Sequence, residues 1–292
     1  MKTNTRNIFI LIRPHQYVKN LFIFLPLFFV GQITDVDLLF NAFIAFVSFS
    51  VTASAIYILN DYQDIEEDRQ HPKKKYRPLA SGVISKKSAV FFMSIFFILG
   101  ISLMATLSLQ AVAILGFYIT LNIGYSFYLK HIAILDVTII AIGFALRLFV
   151  GSTTTRIPLS MWIVVMTFLL ALFLALAKRR DDILIFLETD NKVRKVIDGY
   201  NLQLIDGAMM IMASVVIVAY ILYTTSVTVV QRLQSEYLYL TTLFVILGIM
   251  RYLQITFVEK DSGAPTRIVL KDRFMQLSIL AWVFSFIWII YL

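Results

Sequence analysis

Apolar residues gather into runs too long and too little interrupted for a water-soluble core. Nine can be marked, over residues 21–33, 38–59, 88–109, 111–129, 132–151, 159–177, 208–230, 237–253 and 274–292. Most reach the ~17–25 residues that a helix needs to cross a bilayer; the first is short and holds Pro26, which makes it the weakest. The pattern predicts an all-α, polytopic membrane helix bundle of about nine transmembrane helices, read as a single domain over residues 1–292. Two polar stretches, 60–87 and 178–207, each follow an even-numbered span. That placement suggests a weak internal repeat of four helices, each unit presenting one charged loop to the same polar cavity.

Charge adds an orientation. Of 26 Lys and Arg, only Arg156 and Arg232 fall on one side of the predicted spans and Arg147 falls inside one. Every other basic residue lies on the opposite face. By the positive-inside rule the N-terminus and both polar stretches are cytoplasmic, the cavity opens there, and the C-terminus is outside a multi-pass inner (plasma) membrane protein. Lys2 and Arg6 precede an apolar run of only 8–12 with no small-residue cleavage site, so no removable signal peptide is expected. Hydrophobic residues make up 59% of the chain and charged residues 15%, which excludes a soluble domain. The net charge of +8 is therefore a topological signal and not one for nucleic acid. With no cysteine and three scattered histidines, disulfide, thiolate and zinc chemistry are set aside, leaving oxygen ligands and cations.

Those groups concentrate in residues 60–78. A helix running out of the second span without Gly or Pro before Pro72 would carry Asp61, Asp64 and Asp68 at i, i+3 and i+7, one face spanning roughly 10 Å. Three carboxylates on one face call for a cation, and hard oxygens with room for water and phosphate suit Mg²⁺. Lys74, Lys75 and Arg77 follow at once; the alternative reading is a solvated juxtamembrane loop. Arg13, Tyr17, Lys19 and Asn20 read either as an interfacial anchor or as part of the same cavity. Lys130 reads as a membrane-edge anchor. Arg147, inside a span at a cost of about 2.5–3.5 kcal/mol on insertion scales, reads as a functional residue, with Asp136 a candidate partner about three turns away. The run Lys178-Arg179-Arg180-Asp181-Asp182 reads as cations at a cavity mouth for direct phosphate contact, or as a positive-inside cluster. Arg251 and Asp272 read as helix-pairing residues, and Gly263 and Pro265 as a turn.

The stretch Asn60-Asp61-x-x-Asp64-x-x-x-Asp68 resembles the first aspartate-rich motif of the UbiA superfamily of intramembrane prenyltransferases. Its continuation, Asp68-Arg69-x-His71-Pro72-x-Lys74-Lys75-x-Arg77-Pro78, is similar to the decaprenyl-phosphate phosphoribosyltransferase branch of that superfamily. So are Arg13-Pro14-x-x-Tyr17-x-Lys19-Asn20, Phe144-x-x-Arg147-x-x-x-Gly151 and Lys178-Arg179-x-x-Asp182, where Asp182 stands in place of the usual Glu. Weaker likeness extends to 194–200, Arg251-Tyr252 and 265–273. The resemblance implies a pentosyltransferase of cell envelope biosynthesis that moves 5-phosphoribosyl from 5-phosphoribosyl-1-diphosphate to a polyprenyl phosphate and releases diphosphate. It implies Mg²⁺ on Asp61, Asp64 and Asp68. Substrate contacts would come from Arg13, Lys19, Asn20, Asn60, Arg69, Lys74, Lys75, Arg77, Tyr125, Lys130, Arg147, Lys178, Arg179 and Asp182. The partners are then a lipid substrate, a sugar-phosphate donor and the membrane, without nucleic acid; a homo-oligomer is compatible with the sequence. An aromatic prenyltransferase of the superfamily would need a second Asp-x-x-x-Asp where Lys178-Arg179-Arg180-Asp181-Asp182 stands. A transporter would put its charges near the midplane. A CDP-alcohol phosphotransferase would need an Asp-Gly-x-x-Ala-Arg that is missing.

Overall fold

Residues 5–70, 74–189 and 195–291 are described in a computed structural model. Among them every regular element is a helix. In chain order these are α1 (Thr5–Ile12), a 3₁₀ segment (Pro14–Phe24), α2 (Leu25–Val30), α3 (Val36–Gln63), α4 (Ile65–Gln70), α5 (Lys86–Ala105), α6 (Leu109–Phe127) and α7 (Leu135–Thr155). They continue with α8 (Met161–Thr189), α9 (Leu202–Thr224), α10 (Val227–Leu233), α11 (Thr242–Phe257), α12 (Pro265–Lys271) and α13 (Arg273–Tyr291). Side-chain caps start the spans where the apolar pattern resumes. Asp35 accepts from the backbone N–H of Asp37 and Leu38, and Ser85, Ser108 and Asn201 do the same for α5, α6 and α9.

Eight helices among the described residues are long and apolar enough to cross a membrane. The expected first span is not one of them, because it is built as an 11-residue 3₁₀ segment followed by the 6-residue α2. At rises of ~2.0 and ~1.5 Å per residue these two pieces together extend roughly 31 Å, a bilayer's hydrocarbon depth. Their partners on α3 show the reach directly. Arg13 meets Asp61, Tyr17 meets Ser54, Asn20 meets Ser50, Phe24 meets Phe46, and Leu27 meets Ala42. Between Arg13 and Phe24 the partner on α3 moves from 61 to 46, so α3 uses about 1.4 residues for each one here, close to the ratio of the two helical rises.

Contacts divide the chain into two compact units, residues 1–130 with 146–158 and residues 131–145 with 159–292. In the first unit α3 and α5 lie against each other through small residues. Ser48 Oγ donates to the Gly100 carbonyl at 2.7 Å, and a Cβ on Gly100 would stand 2.1 Å from Thr52 Oγ1. In the second unit Phe173, Leu176, Ile205, Met209, Ala213 and Tyr252 share one core on α8, α9 and α11. Arg251 binds Asp272 there (Nη2 to Oδ2, 2.6 Å), the helix pairing the sequence suggests.

Two expected boundaries shift. The polar stretch 178–207 is not a loop from its start, since α8 stays helical to Thr189 and past its charged run packs Ile183 and Phe186 into the second unit's core. The unbroken helix expected through Asp68 is interrupted, because α3 ends at Gln63 and α4 starts at Ile65. Ile65, the one aliphatic side chain of α4, turns inward to Leu11, Ile58, Leu79, Ile84 and Ala89, and this fixes the bend.

Candidate functional site

The last turns of α3 bring the first unit's charges together. Asp61 is 2% exposed and accepts from Arg13 Nη2 at 2.5 Å and Arg77 Nη1 at 3.0 Å. The same Arg77 nitrogen donates to Asp68 Oδ2 at 2.8 Å, so two buried carboxylates converge on one cationic nitrogen. Arg13 reaches Asp61 from a left-handed backbone (φ 52°), an unusual conformation for a side-chain-bearing residue and more so before Pro14. The Asp64 carboxylate turns to Lys130 Nζ at 2.5 Å, while Asn60 Oδ1 accepts from Ser126 Oγ.

Asp61, Asp64 and Asp68 therefore do not form a single triad along one helical face. Among the described residues no three acidic or histidine side chains are close enough to hold a metal by themselves. The donor set still suits a hard divalent ion. Asp61 and Asp68 offer carboxylate oxygens to a common positive point, and Mg²⁺ ordinarily completes its shell with water and substrate phosphate.

Deeper along α3 lies a second group. Tyr17 and Asn20, one 3₁₀ turn apart, face Ser54 and Ser50 (2.8 Å each), while His15, Val18 and Leu21 at the same interval are exposed. Asn20 Oδ1 also accepts from Arg147 Nε at 2.8 Å. The Arg147 guanidinium lies over Phe49 (4.7 Å) and Tyr118 (5.3 Å). Arg147 is thus buried as its cost demands, but its suggested partner is corrected: Asp136 belongs to another network. What permits the approach is Gly151, where a Cβ would stand 2.1 Å from the Ile23 carbonyl oxygen.

The other sequence-predicted basic residues are dispersed. Arg69 donates to Glu66 (2.8 Å) and to the Ala80 carbonyl (3.1 Å), and Lys75 lies over the exposed Tyr76. Lys74 and Tyr125 are half-buried. His71 and Pro72 of the motif, and Arg194 farther on, lie outside the described residues.

In the second unit, Arg179 is 1% exposed, against the expectation of a cation at a cavity mouth. Its Nε donates to Asp136 Oδ2 at 2.5 Å and its Nη1 to Asp182. Tyr200 Oη donates to the other Asp136 oxygen at 2.6 Å and accepts from the N–H of Ile134 at 2.7 Å, holding a β-branched residue at φ 72°. Burial, followed by the hydrogen bond to Asp136, raises the Tyr200 phenol above its ordinary range. Arg180 donates to Asp206 (2.8 Å) and to the Thr256 carbonyl (2.9 Å), and Lys178 is half-buried. Sequence reasoning missed Ser50, Ser54, Tyr57, Tyr118 and Ser126. The signal was present in the small polar residues Ser48, Ser50, Thr52 and Ser54 inside an apolar span, each 0–2% exposed.

The profile of the UbiA prenyltransferase family matches residues 20–280. A decaprenyl-phosphate phosphoribosyltransferase of Corynebacterium glutamicum is 32% identical over 290 residues, covering 96% of this chain and 86% of its own. One from Mycolicibacterium smegmatis is 30% identical over 285 residues, 93% of this chain and 88% of its own. A solved UbiA homolog from Archaeoglobus fulgidus bound to DMAPP and Mg²⁺ shares the fold, with a TM-score of 0.72 at 18% identity over 96% of this chain and 98% of that one.

Proposed function

Because the chain belongs to the UbiA prenyltransferase family, we propose that this membrane transferase moves 5-phosphoribosyl from 5-phosphoribosyl-1-diphosphate to a polyprenyl phosphate. The bond from ribose C1 to the diphosphate oxygen breaks, the electron pair leaves with diphosphate, and an oxygen of the lipid phosphate forms the new bond to C1. The observation that carries this reading is the end-to-end similarity to two phosphoribosyltransferases. It is joined by Lys178-Arg179-Arg180-Asp181-Asp182 at the place where an aromatic prenyltransferase would hold a second Asp-x-x-x-Asp.

Asp61 and Asp68, with Asp64 beside them, would hold Mg²⁺. When bound, that ion neutralises charge building on the departing diphosphate. Arg13 and Arg77 stand against the same carboxylates and can donate to phosphate oxygens there. Lys130, at Asp64, is placed for the same role. The acceptor oxygen is already an anion at neutral pH, so the site needs no general base. We further assign the N-terminus and the Asp61 cluster to the cytoplasmic face of the inner membrane, following the distribution of Lys and Arg.

The test is incubation of purified protein with radiolabelled phosphoribosyl diphosphate, Mg²⁺ and decaprenyl phosphate. Label should enter the lipid phase. It should be lost in EDTA and in Asp61→Ala, with the variant still purifying as a folded protein. Full activity in EDTA, or prenylation of 4-hydroxybenzoate in place of phosphoribosyl transfer, would overturn the reading.

A further inference from the structure

Polar side chains recur every fourth residue along one face of α6 and just past its end: Tyr118, Asn122, Ser126 and Lys130. Lys130 Nζ meets Asp64 at 2.5 Å and Ser126 Oγ meets Asn60 Oδ1, which sets the end of α6 against the last turn of α3. Two turns before Ser126, the Tyr118 ring centre stands 4.4 Å from that of Phe49 on α3, and its hydroxyl is 3.5 Å from Arg147 Nη2. Asn122 lies midway between Tyr118 and Ser126, so the same face carries it toward α3.

Asn122 is half-buried inside an apolar span, and most of its amide is unused. Its Nδ2 donates to the Tyr118 carbonyl at 2.8 Å. Among the described residues the second N–H and Oδ1 make no hydrogen bond. Polar side chains in a span commonly hydrogen-bond across to a neighbouring helix, but this one closes its bond on its own helix. Hydrocarbon supplies no partner either, so the free N–H and oxygen call for a polar ligand. The two together select its chemistry. A phosphate or carboxylate only accepts and leaves Oδ1 unmet; an ammonium only donates and leaves the N–H unmet. A pair of hydroxyls does both, and a prenyl chain offers neither.

We propose that Asn122 is a specificity-determining residue that binds the ribose hydroxyls of the donor. This rests on the proposed phosphoribosyl transfer and names the part of the donor that α6 reads. Asn60, tied to Ser126, adjoins Asp61 of the diphosphate cluster, and Asn122 stands one turn farther into the span, roughly 6 Å along α6. Ribose C1 carries the diphosphate, so the ring and its 2- and 3-hydroxyls take up the next stretch of the site. A site built to hydrogen-bond a hydroxyl rejects a donor that lacks it.

Phosphoribosyl diphosphate and inorganic diphosphate, each with Mg²⁺, are titrated calorimetrically into detergent-solubilised wild type, Asn122→Leu and Asn122→Gln. Leucine keeps the shape of asparagine without its hydrogen-bonding atoms. Asn122→Leu should therefore weaken phosphoribosyl diphosphate about ten- to thirtyfold, spare inorganic diphosphate and keep Tm, and Asn122→Gln should recover part of the loss. Unchanged affinity for phosphoribosyl diphosphate, or an equal loss for both ligands, overturns the inference. If Asn122→Leu fails to fold, Asn122→Ala carries the same test, with the same split expected and the same two outcomes overturning it. Wild type that binds phosphoribosyl diphosphate no better than inorganic diphosphate overturns the proposed donor and this inference together. Wild type that transfers phosphoribosyl while Asn122→Leu loses both ligands alike overturns the inference alone.

Discussion

Asp136 is fully buried, and Arg179 is what makes its charge tolerable there. Removing one partner of such a pair leaves a bare charge and costs about 3–5 kcal/mol, whereas removing both costs far less. Arg179→Leu should therefore lower Tm sharply in detergent, and Arg179→Leu combined with Asp136→Asn should regain most of it. A single variant that keeps its Tm but loses phosphate affinity would show that Arg179 is a substrate ligand after all. Lys178, half-buried on the same turn, is the better candidate in this run for a direct phosphate contact. Asp182 reaches Arg179 from one turn away, so its shorter side chain, set against the usual Glu, is long enough for that bond.

The 3₁₀ segment and α2 together reach a bilayer's depth without one continuous α-helix. Wound wholly as α-helix, the 11 and 6 residues of the two pieces would extend about 25 Å and fall short of ~30 Å, but the 3₁₀ rise closes the gap. It also repeats every three residues, which puts Tyr17, Asn20 and Ile23 on the α3 face. Gly151 on α7 is fitted to the same segment. Gly151→Ala should push the Ile23 backbone away, cost about 1–3 kcal/mol by overpacking, and loosen Arg147 from Asn20. Gly207→Ala, where a Cβ would meet nothing within 4 Å, is the matched control and should be neutral or slightly stabilising. Equal Tm for the two variants would show that the contact at Gly151 carries no weight.

For the whole molecule, that short segment decides the topology. Eight crossings would put both termini on one face; nine put them on opposite faces. With the 3₁₀ segment counted, an even number of crossings separates the N-terminus from Asn201, so periplasm-active reporters fused ahead of Met1 and inserted near Asn201 should both stay silent while one fused after Leu292 reports. Signal from only one of the first two would show that the segment does not cross.

The sequence by itself determined the membrane class, the family and the residues of the Asp61 cluster. A bilayer imposes long apolar runs, and metal and phosphate chemistry imposes acids and bases at short spacing, so both leave local marks. It also marked Arg147, because a charge inside a span is legible wherever its partner lies. Partnership was not legible. Asp136 and Arg147 share one helix, yet α7 is divided between the two units at residue 146, and each side chain is bound within its own unit. Only the tertiary structure decided that Arg179 is buried against Asp136, that Asp64 turns to Lys130, and that Arg147 binds Asn20. Each of these contacts joins residues dozens of positions apart, and periodicity along one helix carries no information about which face of a distant helix it will meet.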